Sequence, residues 1–189
     1  MQIRCALVGM PGSGKSTVGR QLAHRTGVPF IDLDHRLEET LGTTIRQFFE
    51  EHGEARFRDL EAQELAKALA QPGGMVLSTG GGAVLRRENR EVLHAMGAVL
   101  YLRASPEEIY KRVKHDKTRP LLQGGNPMDK LRALYSQRDG LYRETAHYVI
   151  ETGRPTVHML VNMIMMQLEM AASADTGTEH APQQPPIRC

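Results

Sequence analysis

An α/β fold, a parallel sheet with helices packed on its faces, is predicted by two features of this 189-residue sequence. The first is Gly9-Met10-Pro11-Gly12-Ser13-Gly14-Lys15-Ser16-Thr17, a G-x-x-x-x-G-K-[ST] stretch. It follows a short apolar run, Ile3 to Val8, and leads into a helical pattern with Val18, Leu22 and Ala23 on one side. The second is the alternation of short apolar runs with helical segments along most of the chain. Strand, glycine loop and helix in that order describe a P-loop, a site for nucleotide phosphates.

The composition of that loop has a physical reason. Phosphate oxygens are met by successive backbone N–H groups, and side chains on Gly9, Gly12 and Gly14 would block the approach or forbid the dihedrals. The following helix turns its positive end to the same anion. Gly12, Ser13, Gly14, Lys15, Ser16 and Thr17 are therefore the expected nucleotide contacts. Lys15 is expected to reach the β- and γ-phosphates and the Ser16 hydroxyl to be one ligand of a Mg²⁺ between them.

Bulk properties narrow the class. The length suits one core of substantial size rather than two domains. A formal charge of +2, 24% charged residues and no Trp argue against a nucleic-acid binder. Two cysteines, Cys5 in the first strand and Cys189 at the end, imply no disulfide framework and point to a reducing compartment. The expectation is a cytoplasmic protein with no membrane segment.

After the first helix, Gly27 is a left-handed stop and Val28 to Asp34 reads as a second strand ending in two acids, Asp32 and Asp34. Strand spacing would point both carboxylates to one side, beyond the carboxyl edge of the sheet where ligands of such folds bind. Asp32 is assigned to the metal and Asp34 to the hydroxyl that attacks the phosphoryl group.

A short helix over 35–40 is expected next, then one from Thr44 to His52 closed by Gly53, then one over 54–70 with Phe57, Leu60, Leu65 and Leu69 on its stripe. With no strand between them, these form an insert over the sheet edge and one wall of a pocket. Arg58 lies off the stripe, either as a partner for Glu54 or Glu61 or as a ligand contact. Met75 to Ser78 is the third strand, followed by Thr79 and then Gly80, Gly81 and Gly82, either a flexible loop or bare backbone for close contact with a small ligand.

A helix over 88–96 leads to strand Ala98 to Leu102 and to a capping box, Ser105-Pro106-Glu107-Glu108, that opens a helix to Lys114. Residues 113–125 are polar, charged and end in a glycine pair, the pattern of a lid that would carry Arg119 to the phosphates. A helix from Asn126 to about Glu144, a fifth strand over 147–151 and a last helix from Thr156 complete the domain. The period of Val157, Leu160, Val161, Ile164, Met165 and Leu168 suggests that the many methionines of this helix pack the core. With no apolar face left over, a monomer is expected. Residues 172–189 read as a disordered tail after a single domain over 1–171.

Taken together, the P-loop, Asp32-Leu33-Asp34, Phe57-Arg58-Asp59-Leu60-Glu61, Gly80-Gly81-Gly82, Arg119-Pro120-Leu121-Leu122, and Arg138 with Tyr142 closely resemble shikimate kinase, in that order and at matching separations, over about residues 3–168. The resemblance implies a P-loop kinase fold with five parallel strands in the order 2-3-1-4-5, a shikimate-binding insert over 33–61 and a lid over 113–125. It implies transfer of a phosphoryl group from ATP to the 3-hydroxyl of shikimate, with Mg²⁺, on the route to chorismate and the aromatic amino acids.

By position, the resemblance puts Asp34 at the ring hydroxyls, and Arg58, Arg138 and the Gly81 backbone, flanked by Gly80 and Gly82, at the carboxylate. Fork-like arginine donors suit such a small monocarboxylate. Lys15, Asp34 and Arg119 become the catalytic set, with Arg119 meeting the γ-phosphoryl group and Arg112 stacking on adenine. Some members place a second arginine against adenine after the fifth strand; here Arg154 stands at that place but is followed by Pro155, a departure from the pattern. The competing readings are another small-metabolite or nucleoside-monophosphate kinase, and a regulatory protein that keeps the fold without the chemistry. The latter would be expected to lack Lys15, Asp34, Arg58 or Arg119, and all four are present.

Overall fold

Strands β1 (Arg4–Val8), β2 (Phe30–Asp32), β3 (Met75–Ser78), β4 (Ala98–Arg103) and β5 (Tyr148–Glu151) pair in parallel in the order β2-β3-β1-β4-β5. The computed structural model describes residues 3–114 and 126–176. Central β1 is held in register on both sides, from Arg4 opposite Met75 to Leu7 opposite Ser78, and from Cys5 opposite Ala98 to Val8 opposite Tyr101.

Both faces of β1 are buried, as a central parallel strand requires. Ala6 and Val8 face a core shared with Leu77, Val99 and Tyr101 and with helices α2 (Leu33–Leu41), α3 (Ile45–Leu69) and α6 (Pro127–Thr145). Cys5 and Leu7 face a second core with Val76, Leu100 and Ile150, closed by α1 (Lys15–Thr26) and α7 (Val157–Thr176). Cys5 is fully buried and burial pushes its thiol up to about 12, so it acts as a small hydrophobe.

Local chemistry sets the element ends. Thr44 caps α3 by accepting from the Gln47 N–H, and Asn126 caps α6 by accepting from the Met128 N–H. At the start of α5 (Pro106–Val113), Ser105 and Glu108 exchange both bonds of the predicted capping box, at 3.2 and 2.8 Å. Helix α4 (Arg87–Ala95) follows a single tight turn at Ala83–Leu85. The helical stretches expected either side of Gly53 form one element broken at that residue, whose φ of 79° and ψ of 167° are open only to glycine.

Three expectations need correction. The second strand ends at Asp32, and Asp34 lies in the first turn of α2, because Asp32 serves as its N-cap, accepting from the His35 N–H at 3.5 Å. The last helix runs to Thr176 rather than ending before residue 172. Of its methionines, Met159, Met163, Met166 and Met170 are exposed, because they fall on the phase of the helix opposite to Leu160, Ile164 and Leu168. Among the described residues no helix is long and apolar enough to cross a membrane.

Candidate active site

The parallel arrangement brings the carboxyl ends of β1, β2 and β3 to one edge of the sheet, and with them the glycine loop, the two aspartates and the glycine triplet. A cavity of about 1040 Å³ runs along this edge. Gly12, Gly14, Lys15, Ser16 and Thr17 line one end of it, and Arg58, Gly80, Gly81, Gly82 and Arg138 the other, with Asp32 and Asp34 between.

At the first end, Gly12 and Gly14 have φ of 83° and 99°, which turns the chain so that α1 begins at Lys15. The first turn of α1 carries no acid of its own. Buried Lys15 folds back over the loop and donates from Nζ to the carbonyls of Gly9 and Met10, both at 2.9 Å. Ser13 is buried as well.

The Ser16 hydroxyl donates to Asp32 Oδ2 at 2.6 Å, which sets two hard oxygen donors side by side at the start of α1. Among the described residues no three His, Cys, Asp or Glu side chains gather as a metal cluster. That suits Mg²⁺, which keeps most of its waters and takes one or two protein oxygens plus phosphate. The donor pair Ser16 and Asp32 therefore fits this ion.

Asp34, two residues past the cap, is held above the ordinary carboxylate range by burial, with Asp32 and Glu38 adding to that effect against the pull of Lys15. A Cβ placed on Gly80 would lie 2.5 Å from Asp34 Oδ1 and 3.0 Å from Glu61 Oε1. The first glycine of the triplet thus makes room for two carboxylates. The second lies against the Pro11 ring, 2.6 Å from such a Cβ, and the third sits directly under the Arg58 guanidinium. Space, not backbone freedom, demands all three: none has a positive φ.

Arg58 pairs with both acids named from the sequence and also faces the cavity. It donates from Nη1 to Glu61 Oε2 at 2.7 Å and from Nη2 and Nε to Glu54 Oε1 at 3.0 and 3.2 Å, while lining the cavity. One further N–H on each terminal nitrogen is left by those bonds. Burial works against its charge, yet Glu61 and Glu54 hold it above the usual arginine range. Phe57 and Phe49 lie under its guanidinium, 5.3 and 5.7 Å from their ring centres.

Glu61 was not among the site residues expected from the sequence, where it stood in the Phe57 to Glu61 motif and as a possible partner of Arg58. Its side chain is 1% exposed, and burial raises its pKa despite that partner. Its Oε1 has no hydrogen-bond partner among the described residues, nor does the buried Nε of Arg138 across the cavity. Tyr142, one turn after Arg138, donates to the Gly81 carbonyl at 2.5 Å; burial pushes its phenol up to about 12, so it stays a donor at neutral pH. The i, i+4 placement of Arg138 and Tyr142 was the only sequence sign of that contact.

The nucleotide-base side is less complete. Arg112 donates from Nη1 to the Ser13 carbonyl at 3.1 Å and to Thr152 Oγ1 at 3.3 Å, and from Nη2 to the Thr152 carbonyl. It ties the glycine loop to the segment after β5, in which Arg154 is exposed. Arg119 and residues 115–125 of the expected lid lie outside the described residues.

Comparison with known proteins settles what this edge belongs to. The shikimate kinase family model matches residues 11–169, most of the chain. The chain belongs to the shikimate kinase family. A shikimate kinase of Burkholderia pseudomallei is 56% identical over 169 residues, covering 89% of this chain and 91% of its own. Among solved structures, the shikimate kinase of Acinetobacter baumannii in complex with shikimate is 43% identical with a TM-score of 0.85, covering 90% of this chain and 95% of that one. A gluconokinase of Sinorhizobium meliloti, 18% identical with a TM-score of 0.58 over 95% of this chain and 98% of its own, shares the fold alone. Shikimate kinases are phosphotransferases that use ATP with Mg²⁺, and the five-stranded sheet in the order 2-3-1-4-5 is that of a P-loop kinase.

Proposed function

We propose that the protein transfers the γ-phosphoryl group of ATP to the 3-hydroxyl of shikimate, giving ADP and shikimate 3-phosphate, in the cytoplasm. The observation that carries this reading is the single cavity with phosphate-binding backbone at one end and two arginines beside a bare glycine triplet at the other. Arg58 and Arg138 suit the carboxylate of a small hydroxylated acid, and Asp34 between the two ends suits its hydroxyl.

In this reading Arg58, Arg138 and the Gly81 backbone hold the carboxylate, which fixes the ring between the two ends of the cavity. Asp34 then receives the 3-hydroxyl as a hydrogen-bond donor and orients its oxygen towards the γ-phosphorus. A bond forms from that oxygen to phosphorus, the bond to the β–γ bridging oxygen breaks, ADP leaves, and the hydroxyl proton passes to Asp34 or to water. Lys15 leaves its loop carbonyls to meet the β- and γ-phosphates, and the N–H groups from Gly12 to Thr17 meet the remaining oxygens. Ser16 and Asp32 would hold Mg²⁺, which when bound neutralises charge on the phosphates. Arg119 acts from the lid on the γ-phosphoryl group, Arg112 covers adenine, and Arg154 is the second candidate there.

The test is ADP release by the purified protein with ATP and Mg²⁺, with and without shikimate, and with gluconate or AMP in its place. Stimulation by shikimate that the Asp34→Asn variant loses is expected. Stimulation by gluconate or AMP instead of shikimate would overturn the proposal.

A further inference from the structure

Helix α6 reaches the cavity with Leu134 and Arg138 and meets strand β4 through a polar cluster. Tyr101 and Arg103 lie two residues apart on β4, so both rise from the same side of the strand. The buried Tyr101 hydroxyl donates to Asp139 Oδ1 at 2.8 Å. Arg103 donates from Nε to the Tyr135 hydroxyl at 2.8 Å and lies 3.5 Å from the same Asp139 oxygen. Tyr135 and Asp139 are four residues apart, and so neighbours on the helix. Arg143, four further on, donates from Nε to Asp139 Oδ2 at 2.8 Å, and Arg103 Nη1 donates to Glu151 of β5 at 2.7 Å. Asp139 is thus held from the strand and from its own helix at once.

Burial works against the Asp139 charge, yet hydrogen bonds from Arg143, Tyr101 and Tyr135 hold its pKa below the usual carboxylate range. Burial, with Asp139 beside it, raises that of the Tyr101 phenol. The one group therefore accepts and the other donates at neutral pH. Neither is among the residues that line the cavity. The next residue does: Arg138, whose buried Nε has no partner among the described residues. Consecutive helix residues point about 100° apart, so a carboxylate pinned to β4 at 139 sets the heading of the side chain at 138. One turn on, Tyr142 packs its ring 5.0 Å from that of Tyr101 and donates to the Gly81 carbonyl.

We propose that Asp139, held by Tyr101, is a positioning residue for the acceptor: it fixes the roll of α6 on the sheet and so aims Arg138 at the acceptor's carboxylate. The inference rests on Arg138 holding that carboxylate. Packing alone would not call for these groups. A phenylalanine at 101 would fill the same space with no hydroxyl to satisfy, and a buried hydroxyl is costly unless bonded. What the hydroxyl adds over the ring is direction.

Steady-state kinetics of the full chain, with shikimate and ATP varied in turn, tests this. Asp139→Ala is expected to raise KM for shikimate about fivefold with KM for ATP unchanged, the scale of one lost hydrogen bond. Tyr101→Phe keeps the ring and its packing and should give about threefold in the same direction. Asp139→Asn keeps an acceptor for the Tyr101 hydroxyl and should recover most of the loss. In an Arg138→Ala background, Asp139→Ala should add less than about twofold, since it acts through a side chain already removed. Equal effects on both KM values, or effects that multiply fully in the double variant, would overturn the proposal in favour of a general loss of stability. So would an unchanged KM for shikimate in Asp139→Ala and Tyr101→Phe where Arg138→Ala raises it. If Arg138→Ala itself left that KM unchanged, the carboxylate reading of Arg138 would fall and the aiming role with it.

Discussion

The phosphate end of the cavity is built from residues close together in the chain, whereas the arginine end draws Arg58 from α3, Gly80 to Gly82 from the loop after β3, and Arg138 from α6. The two ends also differ in how their polar groups are satisfied. Lys15 rests on the Gly9 and Met10 carbonyls, and Ser16 rests on Asp32. Across the cavity, Glu61 Oε1 and Arg138 Nε are buried with no partner among the described residues. A buried polar atom left unpaired is costly. The phosphate end thus closes its charged groups on itself and leaves Ser13 Oγ unpaired among the described residues, while the arginine end leaves an acid and a guanidinium with unmet hydrogen bonds.

The largest expected effect separates the two ends. Lys15→Ala should lower turnover by roughly a hundred- to a thousandfold while shikimate still binds, as read by steady-state kinetics beside a calorimetric titration with shikimate. If the same change abolished shikimate binding, the two ends would not be separable. Next in size, Arg138→Ala should raise KM for shikimate about ten- to a hundredfold, the cost of a charged hydrogen bond, with KM for ATP unchanged. Arg138→Lys should recover only part of the loss, since an ammonium keeps the charge without the fork.

The smallest effect bears on the unmet bonds. Burial raises the pKa of Glu61 in the folded protein above its unfolded value of about 4.3. For a carboxylate shifted upward, the folded state binds more protons, so its contribution to stability is full below that value and is lost as pH rises through the folded pKa. Glu61→Gln should therefore flatten this part of the melting-temperature profile between acid and neutral pH, by on the order of 2 °C. A profile parallel to that of the wild type would show that Glu61 stores no such cost.

The same contrast explains what could be read in the sequence. The phosphate loop is a linear motif whose spacing is its geometry, so Gly12 to Thr17 were legible residue by residue. Arg58 and Arg138 were brought together only by the family resemblance, because nothing in the spacing between α3 and α6 says that both face one cavity. Asp34 was placed at the right edge by the wrong rule: period-two alternation was carried past Asp32, where the backbone had already turned into α2. Glu61 was hidden because an acid three residues after an arginine is an ordinary surface pair, and only burial makes it unusual. On α7 the buried stripe was legible and Met165 packs against the core with it, but Met159, Met163, Met166 and Met170 were counted with it although they sit out of phase.

The break at Gly53 divides α3 into two parts that share one core, Phe48 before it and Phe57 and Leu65 beyond it. Beyond it, Phe57 and Leu65 are sunk in the core and hold Arg58 and Glu61 against the glycines. Before it, Arg46, Phe49 and Glu50 line the cavity from a shorter segment hinged at one residue. Mutation of exposed Arg46 or Glu50 can therefore reshape the mouth of the pocket, whereas Phe48 and Phe49 pack on Phe57 and Phe49 lies against Arg58, so those positions are tied to the arginine. Under the proposed function, the grip on an acid is then fixed while the exposed positions at the mouth leave the outline of the molecule that bears it open to selection.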